Sequence, residues 1–333
     1  MGRPTSFAMQ EKRTIYWLTD APHALAAFLP GDLHWSASPD VGGTEVTKSV
    51  WAVLGEGRPL YGVRQGPGDA ASCNTTVCVL IDAARNSQFD ALTARPPAGT
   101  AWPAQVIALA LAGDRFRGQR GRPWQAIRGN LHFTGQYDID ADATESAPAL
   151  TALPAVATRE AICSAADRPV EVRIKWVNDL LVDGRKIAGV LTASQAQETR
   201  IRRVTFGIGI NVQHAPAIPQ HGTTIPAGSL ADWSIPLPRL FHSLLQSIAD
   251  NLKRIESGAH RALVDTYRTA CDVVGRPVAL WPEDYSPEQT TSAPIARGTV
   301  TEILPDLSLR IDGLDQPIRR GRLTYTDTAP QIG

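Results

Sequence analysis

Cysteine, histidine, methionine and lysine are all scarce in this 333-residue chain, and most of these scarcities narrow what the protein can be. The four cysteines, Cys73, Cys78, Cys163 and Cys271, form no CxxC pair, so neither a zinc ribbon nor a disulfide framework is expected. The seven histidines are scattered without metal-ligand spacing. No run of about 18 apolar residues exists to cross a bilayer, and Met1–Arg13 lacks the apolar centre of a signal peptide. A cytoplasmic protein with reduced thiols and no membrane partner is the expectation. Charge of neither sign is in excess, with 33 basic against 33 acidic residues, and residues 1–74 show no helix-turn-helix pattern or basic recognition helix. No nucleic-acid partner is therefore expected. Lysine occurs only at 12, 48, 175, 186 and 253, arginine carrying the remaining positive charge. With abundant Ala, Gly and Pro this marks a coding bias, which discounts arginine clusters and draws attention to Lys175 and Lys186.

What is present is concentrated in Lys175–Leu191, KWVNDLLVDGRKIAGVL. Val170, Val172, Ile174 and Trp176 alternate with Glu171, Arg173 and Lys175, the period of a half-buried strand, and Asp183-Gly184 lies between two apolar runs, the strongest short-range hairpin signal. A two-residue turn pairs Val182 with Arg185, Leu181 with Lys186, Asp179 with Ala188 and Asn178 with Gly189. Lys186 and Asp179 then lie diagonally on one face, and Asn178 looks across at bare backbone. Spacing alone is equally compatible with a surface hairpin carrying a cross-strand ion pair.

Two further stretches add chemistry. Between Asp114 and Trp124, Arg115, Arg117, Arg120 and Arg122 are interleaved with Gly118 and Gly121, which predicts a mobile loop whose backbone and guanidinium groups receive an anion, with Trp124 offering a flat face to a base. In Val204–Val212, VTFGIGINV, the apolar residues share one face while Thr205, Gly207, Gly209 and Asn211 share the other; a strand with two glycines on one face invites close approach of a ligand or another backbone. Around these, residues 1–74 read as a structural extension with strand-like pieces at Ile15–Leu18, Trp51–Leu54 and Leu60–Val63. Residues 137–150 read as an acidic connection. Leu150–Ala166, Leu237–Ile255 and Ala259–Cys271 read as helices, and the short strands after Gly275 as a small all-β unit.

In this order, the Gly/Arg loop ending in Trp124, KWVNDL with GRKIAGVL, and GIGINV resemble the biotin protein ligases of the biotin/lipoate ligase superfamily, over about residues 75–325. The resemblance implies an α+β fold. Its catalytic domain, over 75–271, is related to class II aminoacyl-tRNA synthetases, with a mixed sheet flanked by helices; an SH3-like β-barrel covers 272–333, and 1–74 is an extension of undefined role. It implies that ATP and biotin, with Mg²⁺, give biotinyl-5′-AMP, and that a lysine of a carboxylase's biotin carboxyl carrier domain takes the biotin. A lipoate or octanoate ligase and a non-catalytic ligand-binding paralogue are the alternatives. By the resemblance, Lys186, Arg117, Arg120 and Asp179 are catalytic. Arg117, Gly118, Gly189, Leu191, Gly207, Gly209 and Asn86 bind biotin; Arg120, Arg122, Trp124, Asn178, Lys186 and Asn211 bind ATP; Asn178 and Asp179 are the metal candidates. The loop departs from the family pattern at Phe116 and Gln119, where Gly and Arg are usual, and Val177 stands where Pro is common. Whether the chain forms a homodimer is left open by the sequence.

Overall fold

Three stretches, TIYWLT, TTVCVLI and QVIALA, are apolar on both faces, as strands sandwiched between two layers must be, and in a computed structural model they are the parallel core of one large sheet. The structure describes residues 14–29, 45–65, 75–96, 101–218, 225–283, 285 and 293–327. Nine strands form the sheet: β1 (Thr14–Thr19), β2 (Tyr61–Gln65), β3 (Thr75–Ile81), β4 (Gln105–Ala110), β5 (Leu131–Asp142), β6 (Arg173–Lys175), β7 (Asp179–Val182), β8 (Arg185–Gln197) and β9 (Arg200–Ile210). Their order is β2-β1-β3-β4-β5-β9-β8-β7-β6, with β1, β3 and β4 parallel and the other pairs antiparallel. The sheet is mixed and helix-flanked, as expected. Residues 14–19 and 61–65, read as part of an extension, supply two of its strands.

Side-chain alternation divides the core into two layers. Cys78, Leu80, Ile107, Leu109, Phe133 and the Val204–Ile210 apolar set join helices α4 (Ala143–Ala165), α5 (Leu237–Glu256) and α6 (His260–Ala270) on one side. Val77, Val79, Ile81, Val106, Ala108 and Ala110 face the other side, with Val50, Trp51 and Leu54 of α2 (Glu45–Leu54) and Leu92 of α3 (Gln88–Thr93). The short α1 spans Pro22–Ala26 and buries Leu25. Trp51–Leu54 is thus helical, not strand-like: Val50, Trp51 and Leu54 recur at helical spacing on the buried face. The acidic 137–150 segment is also regular. Its first half completes β5, and Asp142 caps α4, its Oδ1 accepting from the Thr144 and Glu145 amides at 2.9 and 3.0 Å.

The C-terminal strands β10 (Pro277–Trp281), β11 (Ala296–Ile303), β12 (Leu309–Ile311) and β13 (Arg322–Tyr325) form a separate antiparallel sheet in the order β12-β11-β10-β13. It is fastened to the larger unit by buried and partly buried polar contacts. Trp176 Nε1 donates to the Leu307 carbonyl at 2.7 Å, Arg268 Nε to the Ile303 carbonyl at 2.6 Å, and the Tyr325 hydroxyl to Asp272 Oδ1 at 2.5 Å.

Candidate active site

The helices α2 and α3 cover only part of their side of the sheet, and β5 to β9 leave an open groove beside them. Register builds its floor. Lys175 pairs with Asp179, Asp179 with Gly189, Gly189 with Gly209 and Gly209 with His132, a line across five strands; one step along, Leu191 pairs with Gly207 and Gly207 with Thr134. A cavity of about 610 Å³ lies on this floor, lined also by Arg117, Arg120, Arg122, Trp124, Asn178, Lys186 and Asn211.

The hairpin forms around Asp183-Gly184, both residues at positive φ, with Val182 opposite Arg185 and Leu181 opposite Lys186 as expected. Beyond that the register differs. A bulge at Ile187 sets Leu180 opposite Ala188 and Asp179, not Asn178, opposite Gly189. The extra residue changes the parity of β8, so Lys186 and Gly189, three positions apart, both face the cavity. Lys186 Nζ meets Asp179 Oδ1 at 2.5 Å. Asn178 instead belongs to the turn between β6 and β7, its Nδ2 donating to the Val190 carbonyl at 2.9 Å and its own carbonyl accepting from the Val190 amide at 2.9 Å. The expected single strand from Val170 is regular only over Arg173–Lys175.

The Gly/Arg stretch closes into a small hairpin over the groove. The Trp124 amide donates to the Phe116 carbonyl at 2.9 Å and the Gly118 amide to the Arg122 carbonyl at 2.7 Å, with Arg120 and Gly121 at positive φ at the tip. Arg117 and Arg122 are exposed into the opening. Arg120 leans onto the C-terminal unit, Nη2 meeting Glu283 Oε1 at 3.1 Å and Nη1 the Glu283 carbonyl at 3.2 Å. Trp124 accounts for Gly209, where a Cβ would overlap its ring, whereas a Cβ on Gly189 would make ordinary contact with that ring at 3.5 Å. Phe89 plays the same part at Gly207, where a Cβ would be 2.9 Å from its ring. The close approach expected at this strand is made here by aromatic side chains.

Electrostatics follow from burial and charge. Burial alone would raise the Asp179 carboxyl, but Lys186, Lys175 and Arg122 together outweigh it and hold the group below the ordinary carboxylate range. Lys175, 9% exposed, is lowered by burial against the attraction of Asp179, with Lys186, Arg322 and Arg122 adding repulsion. His132 is buried and pushed down to about 4 by desolvation. It is therefore neutral at pH 7; Nδ1 accepts from Trp124 Nε1 at 3.3 Å, and Nε2 carries the proton toward the Ile127 carbonyl at 3.1 Å. Asn211 is buried, donating to the Gly228 carbonyl at 3.0 Å, while its Oδ1 has no partner among the described residues.

Of the residues given a site role by the resemblance, the structure gathers all but Asn86 around the cavity, while Arg115 and Gly121 of the same loop and Thr205 of β9 do not line it. Asn86 is exposed and turned outward, Nδ2 and its amide both held at 3.0 Å by Glu56 Oε1. Its neighbours Ser87 and Phe89 line the cavity instead. Sequence reading missed these two, together with His132, Thr134, Glu283, Tyr285 and Arg322. Lys175 was marked only by the rarity of lysine, and the C-terminal residues carried no local signal.

Residues 100–211 match the model of the biotin/lipoate A/B protein ligase family. The chain is similar to the bifunctional ligase/repressor BirA of Bacillus subtilis (strain 168), 38% identical over 127 residues, covering 37% of this chain and 38% of the relative. It is also similar to the biotin–[acetyl-CoA-carboxylase] ligase of Paracoccus denitrificans, 34% identical over 120 residues, covering 35% of this chain and 47% of the relative. The match thus spans less than half the length of these curated relatives. Among solved structures, the biotin protein ligase of Aquifex aeolicus in complex with biotin and ATP shares the fold, with a TM-score of 0.55 at 18% identity over 74% of this chain and 97% of that one. The matching stretch, 100–211, holds the Gly/Arg hairpin, the β7–β8 turn and the glycine strand β9.

Proposed function

We propose that the chain is an ATP-dependent biotin protein ligase that forms biotinyl-5′-AMP and passes the biotinyl group to a lysine of a biotin carboxyl carrier domain. The observation that carries this reading is the convergence of Lys186, Lys175, Arg117, Arg120 and Arg122 on a groove floored by bare backbone. Joining a carboxylate to an α-phosphate brings two anions together, so the site must supply positive charge and fix an in-line geometry. Lys186 sits between them, beside the Gly189–Gly209 floor, and the arginine hairpin closes from above. Arg117 and Gly118 take the acid's carboxylate end, and Gly189, Leu191, Gly207 and Gly209 form the slot for its body. Trp124 and Asn211 lie toward the adenine, where the unpartnered Asn211 Oδ1 suits an exocyclic amino group. Asp179, ionised and paired, takes the proton of the incoming lysine in the second step.

The residues present fit a magnesium ion bound mostly through phosphate and water. Asp179 brings a second carboxylate oxygen, and Asn178, whose Nδ2 is engaged with Val190, keeps its amide oxygen. Such an ion would take up charge on the triphosphate. We read the C-terminal sheet as an SH3-like barrel over 272–333, with the ligase domain over 75–271 and its sheet extended by the N-terminal strands. No helix among the described residues is long and apolar enough to cross a membrane, and a cytoplasmic location is part of the proposal.

A lipoate or octanoate ligase is the second reading. It is favoured by the diversion of Asn86 to Glu56 and by the Phe89 and Phe116 rings at the acid's end of the groove. ATP–pyrophosphate exchange on the purified protein, run in parallel with biotin, lipoate and octanoate, separates the readings. Exchange with biotin alone supports the proposal, exchange with another acid moves the substrate, and none with any of them leaves a ligand-binding paralogue.

A further inference from the structure

The N-terminal segments, to which sequence reading gave no chemistry, reach the wall of the cavity through one carboxylate. Glu56 lies in the turn between α2 and β2, and the amides of Arg85 and Asn86 donate to its Oε2 and Oε1, both at 3.0 Å. Asn86 Nδ2 adds a third bond to Oε1 at 3.0 Å, and Arg58 Nη1 closes on Oε2 at 2.8 Å. The same guanidinium meets Asp20 Oδ2 at 3.2 Å and donates to the Ala83 carbonyl, while Asp20 Oδ1 accepts from the Asp82 amide at 2.8 Å. Three side chains from residues 20–58 thus grip the turn from Asp82 to Asn86.

Glu56 is built for this grip. Burial would raise its carboxyl, but the Arg85 amide, Arg58 and Asn86 together hold it below the ordinary carboxylate range, so it stays a charged acceptor. Its φ is 51°, beside Gly57 at 77°, a left-handed backbone that glycine adopts freely and that costs any residue with a side chain. The contacts of the carboxylate offset that cost.

The gripped turn leads directly into α3. Ser87 caps that helix, its Oγ accepting from the Asp90 amide, and both Ser87 and Phe89 line the cavity, the Phe89 ring covering Gly207 where the acid's body lies in the ligase reading. A helix of six residues does not hold its own position. Besides its buried Leu92, α3 is fixed at the far end by Gln136 Nε2 on the Leu92 carbonyl at 2.6 Å, and at the near end by Glu56. Ala84 is held separately, its amide on the Ala112 carbonyl at 3.0 Å and its carbonyl under the Asp114 amide at 2.9 Å. The approach to the arginine hairpin therefore does not depend on Glu56.

We propose that Glu56 is a positioning residue for the acid slot, holding α3 so that Phe89 stays over Gly207, and that the N-terminal segment in this way sets how tightly the acid is held without touching it. This rests on the ligase reading. Loss of the carboxylate frees two backbone amides and lets α3 drift, a change confined to the acid's end of the groove.

Pyrophosphate exchange by the full chain, with apparent KM values read for ATP and for whichever of biotin, lipoate and octanoate supports exchange, tests the assignment. Glu56→Ala is expected to raise the KM for the acid about tenfold, the loss of charge-assisted bonds, while the KM for ATP and kcat stay within about twofold. Glu56→Gly removes the same carboxylate and relieves the left-handed backbone, so it should show the same rise and serves should the alanine variant not fold. Glu56→Gln keeps one acceptor oxygen and should fall between these and the unmutated chain. An equal rise in both KM values, or a fall in kcat alone, would mean a merely structural role, and an unchanged KM for the acid would remove Glu56 from the slot; any of these overturns the assignment while the ligase reading stands. Failure of the unmutated chain to catalyse exchange with any of the three acids would overturn the ligase reading itself, and this assignment with it.

Discussion

Lys186→Met is the most informative perturbation of the proposed chemistry. The ammonium is held 2.5 Å from Asp179 Oδ1, its side chain 32% exposed, so its charge is only partly screened. A unit charge about 4 Å from a reacting anion, at an effective dielectric of about 20, is worth about 4 kcal/mol. Because two anions must meet beside it, most of that interaction grows toward the transition state, and roughly a thousandfold loss of pyrophosphate exchange is expected. The same substitution leaves Asp179 with Lys175 as its nearest remaining cation and should lower the melting temperature. Adding Asp179→Asn to the methionine variant removes the orphaned charge, so the double variant should regain stability without regaining exchange. Melting curves and exchange rates on the three proteins separate the two effects. Exchange within fivefold of the unmutated chain in Lys186→Met would refute the placement of this amine between the reacting groups.

Burial of His132 makes stability pH-dependent. Its folded pKa of about 4 lies below the ordinary 6.5, so the stability it carries is fully present above about pH 6.5 and is lost as the pH falls toward 4, about 3 kcal/mol in all. His132→Gln should flatten that part of the pH profile of chemical denaturation. Gly209→Val forces a side chain into the Trp124 ring; because the ring can swing while the strand cannot, the fold should survive, and with Trp124 displaced from the adenine side the KM for ATP should rise about tenfold along with that for the acid, both read from steady-state kinetics. Tyr267→Phe removes the hydroxyl that donates to the Val177 carbonyl at 2.9 Å in a fully buried setting, and should cost about 1–2 kcal/mol in urea unfolding.

Local chemistry was legible wherever it is written in neighbouring residues. Asp183-Gly184 set the hairpin turn, and the VTFGIGINV alternation separated a core face from a bare one. Relations between distant residues were not. The bulge at Ile187, which brings Lys186 and Gly189 to one face, depends on how β8 meets β7 and β9 together. Trp51–Leu54 was ambiguous as a short apolar run until its partner surface on β3 was known. Asn86 was drawn away by Glu56, 30 positions upstream, and His132 gained its neutral state from burial beneath Trp124. The sequence by itself determined the loop, hairpin and strand that carry the cations and glycines, because turn geometry and side-chain alternation are short-range. Only the tertiary structure decided which groups share the cavity, which are paired, and that Arg322 and Glu283 join it from the C-terminal sheet, because charge and burial act between residues that the chain separates by more than a hundred positions.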